Sequence, residues 1–240
     1  AYGLANQISS NLNVLSSSIF QSSNSQVIQS YRSNDLQRMN SLMIRMTKFA
    51  FSLFFIVSLP VICLSDQLFF IWLGEIPEGA TVFLRLMLIN ATIELFSVPL
   101  MYIMQATGNI KNYFIVVSLT MLLILPISYI LLRMGCPYYT VLLVTIVINL
   151  LLLIIRLVFV TVNTSFFIKI YIKEVILSSF MIVLFTIAIM FIITELIHFN
   201  HWWAVGMSSL FLVTSSVWFI LLNKDEKIML KEIVLNVFRH

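Results

Sequence analysis

The sequence predicts an all-α integral membrane protein, a bundle of about seven transmembrane helices. Composition is the first reason: 60% of the 240 residues are hydrophobic and 10% are charged, against about 45–50% and about 25% in a soluble domain. So few charges cannot cover the surface of a soluble chain of this size, and the mean hydropathy is +1.03. Spacing is the second. Runs free of Asp, Glu, Lys and Arg occupy 21 residues between Lys111 and Arg133, 22 between Arg133 and Arg156, 20 between Glu174 and Glu195, and 28 between Glu195 and Lys224. Each can cross a hydrocarbon core of about 30 Å as a helix. Continuous apolar runs of this kind exclude a membrane β-barrel, which needs short alternating segments.

Residues 1–24 are polar in composition but ordered in space. On a helical wheel Leu4, Ile8, Leu12, Leu15 and Ile19 share one sector, while Asn6, Ser10, Asn13, Ser17 and Asn24 share the opposite one, with Gln21 beside them. No Lys or Arg lies on the polar side, so a spanning helix that lines a water-filled cavity fits better than an interfacial one. The second span is expected over Phe49–Leu64 with an extension over Phe69–Leu73, and the third over about Ala80–Gln105, despite Arg85, Asn90 and Glu94 within it. Turn chemistry falls at Pro77-Glu78-Gly79, Gly108-Asn109 and Gly135-Cys136-Pro137, and Pro60, Pro99 and Pro126 are expected to kink helices. The chain then divides into residues 1–171, holding five spans, and 172–240, holding two more and a short basic tail. The absence of an initiator methionine at Ala1 suggests the C-terminal portion of a longer protein.

Loop charges set the orientation. If the first span runs inward, the cytoplasmic segments 25–48, 106–112, 156–174 and 223–240 hold Arg32, Arg38, Arg45, Lys48, Lys111, Arg156, Lys169, Lys173, Lys224, Lys227, Lys231 and Arg239, leaving only Arg85 and Arg133 outside. Trp72, Trp202, Trp203 and Trp218 fall at span ends as interface anchors. The net charge of +4 therefore reports topology and not nucleic-acid binding. Cys63 and Cys136 form no CxxC pair, and His198 and His201 read as interfacial, so neither a metal nor a cofactor is expected. Asn90-Ala-Thr92 and Asn163-Thr-Ser165 match the glycosylation pattern, but lie in a span and on the predicted cytoplasmic side. No Walker A loop or nucleophile elbow is found, and no base or carboxylate and metal constellation of the kind a membrane transferase would need. The chain does not read as an enzyme.

Glu94 stands out among the ionisable residues. It lies about 14 residues, roughly 21 Å, into its span, on the same side of the helix as Asn90 and Gln105, with Arg85 on the far side. A charge at that depth is expected to face the bundle interior or its cavity, where it serves either in ion coupling or as a hydrogen-bond partner between helices. Arg85 is close enough to the outer end to snorkel.

The segments Ala1-Tyr-Gly-Leu-Ala-Asn-Gln-Ile8, Gln29-Ser-Tyr31 with Asn34-Asp35, Ile71-Trp-Leu-Gly74, Gln105-Ala-Thr-Gly-Asn-Ile-Lys-Asn-Tyr113 and Leu125-Pro-Ile-Ser-Tyr129 resemble the bacterial polysaccharide-export flippases. These are Wzx-like O-antigen and lipopolysaccharide transporters of the multidrug/oligosaccharidyl-lipid/polysaccharide (MATE-like) superfamily. The likeness covers roughly residues 1–170, and Ser25 stands where a proline is expected. It implies that the chain is the C-terminal half of a fourteen-span transporter of the bacterial inner membrane, multi-pass, with a cytoplasmic C-terminus. The implied activity moves an undecaprenyl-diphosphate-linked oligosaccharide to the outer leaflet for surface polysaccharide assembly. Its implied partners are that lipid-linked oligosaccharide, membrane lipids, glycosyltransferases and a polysaccharide polymerase.

Such a cargo needs a polar cavity, a cationic place for the diphosphate and a lateral path for the lipid. Asn6, Ser10, Asn13, Ser17, Gln21 and Asn24 are candidates for the first, though polar residues also join helices. Arg32, Arg38, Arg45 and Lys48 are candidates for the second, or are simply positive-inside residues. A cation-coupled multidrug exporter of the same superfamily is the alternative and predicts a more acidic cavity. A polytopic membrane transferase and a structural scaffold are the remaining readings.

Overall fold

A computed structural model describes residues 1–108, 110–164, 166–197 and 202–217, with side chains placed except between 191 and 204. His198, His201, Trp218 and the basic segment 223–240 lie outside those residues, as do the side chains of Glu195, Trp202 and Trp203. Every regular element among the described residues is helical.

The first helix, α1 (Tyr2–Arg32), runs through Ser25 for 31 residues. At about 1.5 Å per residue this exceeds the thickness of a bilayer core. It ends in a Schellman turn: Asn34 takes φ 59°, which asparagine tolerates, and the Asn34 and Asp35 N–H groups donate to Tyr31 O and Ser30 O. Asp35 then caps the second helix, α2 (Leu36–Cys63), its carboxylate accepting from Arg38 N at 3.0 Å. Residues 25–48, expected as a cytoplasmic loop, are therefore a tight helical hairpin whose only break is Ser33–Asp35. Capping chemistry, and not loop composition, decides that boundary.

A short helix α3 (Ser65–Leu73) leads to α4 (Ala80–Thr107). The next span, Lys111–Arg133, is broken at Leu123 into α5 (Lys111–Leu122) and α6 (Ile124–Arg133). Pro126 explains the break, since it sits in the first turn of α6, where an absent N–H costs nothing. Pro60 and Pro99 lie inside α2 and α4, which continue past them. The helix α7 (Thr140–Asn163) is followed by α8 (Ile168–Tyr171), a π-helical segment Ile172–Leu177, α9 (Ser178–Ile197) and α10 (Trp202–Ser216).

Five of these helical stretches are long and apolar enough to cross a membrane: Leu36–Cys63, Ala80–Thr107, Lys111–Arg133, Thr140–Asn163 and Ile168–Met190. The last of them begins before residue 172, where the division of the chain was expected. Of the two other expected spans, α1 has the length but is polar, and the described part of the last is short, its apolar stretch being Val205–Ser216.

Packing follows from side-chain size. The buried stripe of α1 is Ala5, Ser9, Ser16, Phe20, Val27 and Ser30, small residues for the most part, and α1 packs on α2 and α4 through it. In a bilayer, close backbone approach and dispersion replace the hydrophobic effect as the source of helix association. The core continues through Met39, Met43 and Phe54 of α2, Leu84, Leu88 and Leu95 of α4, and Ile148 and Leu152 of α7, with α4 packed against α7. The α1 wheel therefore needs a third sector. Its apolar flank, Leu4, Ile8, Leu12 and Ile19, is only partly buried, and its polar flank lies on the other side of the serine stripe.

Candidate functional site

The polar flank of α1 meets α4 and α7 around a cavity of about 460 Å³. Its walls include Asn6, Ser9 and Asn13 of α1, Asn90 and Glu94 of α4, Thr145 of α7, and the rings of Tyr2, Phe83 and Tyr138. The amides and the carboxylate are organised. Asn90 Nδ2 donates to Glu94 Oε1 at 2.9 Å, one turn along α4, and Asn149 Nδ2 from α7 donates to Asn90 Oδ1 at 2.8 Å and to Glu94 Oε1 at 3.1 Å. Glu94 thus faces the cavity, held on one oxygen by two amides.

At one end of the cavity three aromatic rings adjoin. Tyr2 packs edge-on to Phe83 with centroids 5.7 Å apart, and Phe83 lies 5.3 Å from Tyr138. Gly79 makes room for this arrangement: a Cβ there would lie 2.5 Å from the Tyr138 hydroxyl, and its φ of +76° is one that L side chains rarely adopt.

The expected residues divide. Asn6, Asn13, Asn90 and Glu94 come together. Ser10 and Ser17 do not line the cavity; their hydroxyls donate to Gln7 O and Val14 O of their own helix at 3.0 and 2.9 Å. Gln21 is exposed, and Asn24 keeps a buried Oδ1 without a hydrogen bond. Gln105 shares the wheel sector of Glu94 but is about 16 Å further along the helix and is exposed. Wheel angle alone does not give depth. Polar residues also occupy the other flank of α1, where Gln7 and Asn11 line a second, mostly apolar groove of about 460 Å³ with Leu64, Gln67, Leu68, Ile71 and Trp72.

The four expected cations separate as well. Arg32 borders a pocket of about 550 Å³ with Tyr31, Asn34, Asn163 and Thr164, at the C-terminal ends of α1 and α7. Arg38 is exposed and Arg45 half-buried, and neither lines that pocket. Lys48 is a correction: it is 2% exposed, and its Nζ lies 3.0 Å from Glu174 Oε2 in the π-helical segment. A buried ammonium demands a partner, and here that partner withdraws it from any mouth. Arg85 likewise does not simply snorkel; it donates from Nε to Ser65 Oγ at 2.9 Å and from Nη2 to Asp66 Oδ2 at 3.1 Å, with Thr81 donating to Asp66 Oδ1 at 2.7 Å.

Asn149, Thr145 and the ring trio were missed by sequence reasoning. Asn149 did carry a signal, as the lone amide in the run Val141–Ile155.

Long apolar helices, around a cavity that mixes amides, hydroxyls and one carboxylate with apolar side chains, define a multi-pass membrane protein. The sequence model of the MatE family matches residues 1–130, more than half of the chain. The chain belongs to that family, and so to the membrane transporters of the MATE superfamily. No curated protein and no solved structure matches it.

Proposed function

We propose that the chain serves a Wzx-like polysaccharide-export flippase as its C-terminal half, in the bacterial inner membrane with its C-terminus cytoplasmic. The cargo is an undecaprenyl-diphosphate-linked oligosaccharide, built by glycosyltransferases and passed outside to a polymerase. The observation that carries this reading is the lining of the α1–α4–α7 cavity. Asn6, Asn13, Asn90 and Thr145 offer both donors and acceptors, and Tyr2, Phe83 and Tyr138 offer flat apolar faces. Sugars present hydroxyl edges and C–H faces, so this mixture suits them.

Arg32 is the cation best placed to meet the diphosphate, since it borders the pocket at the α1–α7 ends. The apolar groove of Leu64, Leu68, Ile71 and Trp72 offers the lipid chain a wall. Glu94 is the candidate for ion coupling. A multidrug exporter is the second reading, because a carboxylate near aromatic rings also suits an organic cation.

The test is complementation in a strain lacking its own flippase, with the complete transporter. Restored surface polysaccharide that is lost on Asn13→Leu at equal protein level supports the flippase. Drug resistance without polysaccharide export selects the exporter.

A further inference from the structure

A buried polar junction joins α2, α4 and the segment after α7, away from the cavity lining. Tyr171 is fully buried, and its hydroxyl donates to the backbone carbonyl of Phe96 at 2.8 Å. That carbonyl lies three residues before Pro99. Proline has no N–H, so Leu95 O lacks its helical donor and this turn of α4 has one hydrogen bond fewer than a regular turn. Space filling alone would be served by phenylalanine, and a buried hydroxyl is costly unless bonded. The bond to the proline turn is what the phenol adds.

The segment carrying Tyr171 is fixed to α2 along one face. Asn40 Oδ1 accepts from Phe167 N at 3.4 Å, Thr47 lies beside the Tyr171 phenol, and Lys48 pairs with Glu174. Positions 40, 47 and 48 of α2 thus meet positions 167, 171 and 174, three contacts spread over about two turns of each segment. The π-helical turn Ile172–Leu177 follows immediately, and such insertions recur at functional sites.

We propose that Tyr171 is a positioning residue for the cavity: it pins the proline turn of α4 and thereby fixes Asn90 and Glu94 against Asn149. Glu94 precedes Phe96 by two residues, so bending at residues 95–99 swings the carboxylate relative to α7. Tyr171 is not among the residues that line the cavity, so it acts through α4. The inference rests on the reading of this cavity as the transport site.

A double-mutant cycle on the complete transporter tests it. Hydrogen exchange of α4 in the purified protein is compared for wild type, Tyr171→Phe, Pro99→Ala and the double variant, beside polysaccharide export in cells. Tyr171→Phe is expected to speed exchange at residues 95–103 by about five-fold, the effect of one lost hydrogen bond of about 1 kcal/mol, and to lower export several-fold at equal protein level. With Pro99→Ala, which restores the helical N–H, the Tyr171→Phe effect is expected to vanish in both readouts. Effects that simply multiply, unchanged exchange, or faster exchange with normal export each overturn the proposal. Should Tyr171→Phe fail to accumulate, Pro99→Ala must restore it, and failure to do so also overturns the proposal. If wild type itself does not support polysaccharide export, the cargo reading fails while the exchange cycle still decides the pinning.

Discussion

Asn149 and Glu94 show how little energy a site of this kind needs. Hydrogen bonds between membrane helices contribute about 0.6 kcal/mol on average and about 1.7 at most. Asn149→Leu removes two of them, so the protein is expected to stay inserted, with a loss of about 1–2 kcal/mol in stability. Transport is expected to fall at least about ten-fold, because Glu94 and Asn90 both lose their interhelical donor. A thermal unfolding assay in detergent and a transport assay separate the two effects; a collapse in folding with normal specific activity would make Asn149 structural only. Glu94→Gln keeps the shape and removes the charge. Export is expected to be lost at normal protein level, and its survival would leave Glu94 a hydrogen-bond partner only.

At the scale of elements, α1 separates packing from lining. Ser16 is 2% exposed within the stripe that meets α2 and α4, so Ser16→Leu overpacks the contact and is expected to cost about 1–3 kcal/mol. Ser17, one residue on, does not line the cavity, so Ser17→Leu is expected to be tolerated while Asn13→Leu abolishes export. Impaired export from Ser17→Leu at normal stability would show that the polar path continues further down α1 than the cavity does. The same helix shows what the sequence made legible. Its polar sector was readable from the wheel, but the serines that pack it were not, since a wheel gives an angle without naming the neighbouring helix. Lys48 was misplaced for a related reason: counting basic residues treats each as solvent-facing, and its partner Glu174 is 126 residues away. Lys48→Met is therefore expected to destabilise the junction of α2 with the π-helical segment, and Lys48→Met with Glu174→Leu to recover most of the loss. Glu174 keeps 40% exposure, so water softens the penalty. Chemical denaturation of the two variants checks the pair, and no recovery in the double variant would argue against it.

For the whole molecule, the bilayer made the sequence readable. The charge-free runs after Lys111 and Arg133 make up most of the helices Lys111–Arg133 and Thr140–Asn163, because an unpaired backbone in hydrocarbon leaves few other solutions. Orientation remains an expectation of the charge rule, and labelling decides it. With Cys63 and Cys136 replaced by alanine, an impermeant thiol reagent applied from outside is expected to modify Glu75→Cys and to spare Asp35→Cys. The opposite pattern would invert the topology.

The contact between Gly79 and Tyr138 carries a consequence for how this transporter tolerates mutation. Two independent constraints act at Gly79, a positive φ and the ring overhead, whereas a Cβ on Gly3 meets nothing within 4 Å. Gly206 is intermediate, its added Cβ meeting only the flexible end of Leu64 at 2.8 Å. In a saturation library selected for function, codon 79 should be purged of every alternative including alanine, while codon 206 should keep alanine. Glycines of one sequence therefore record very different selective pressures, and the ring trio would be visible in a population of variants before any cargo is known.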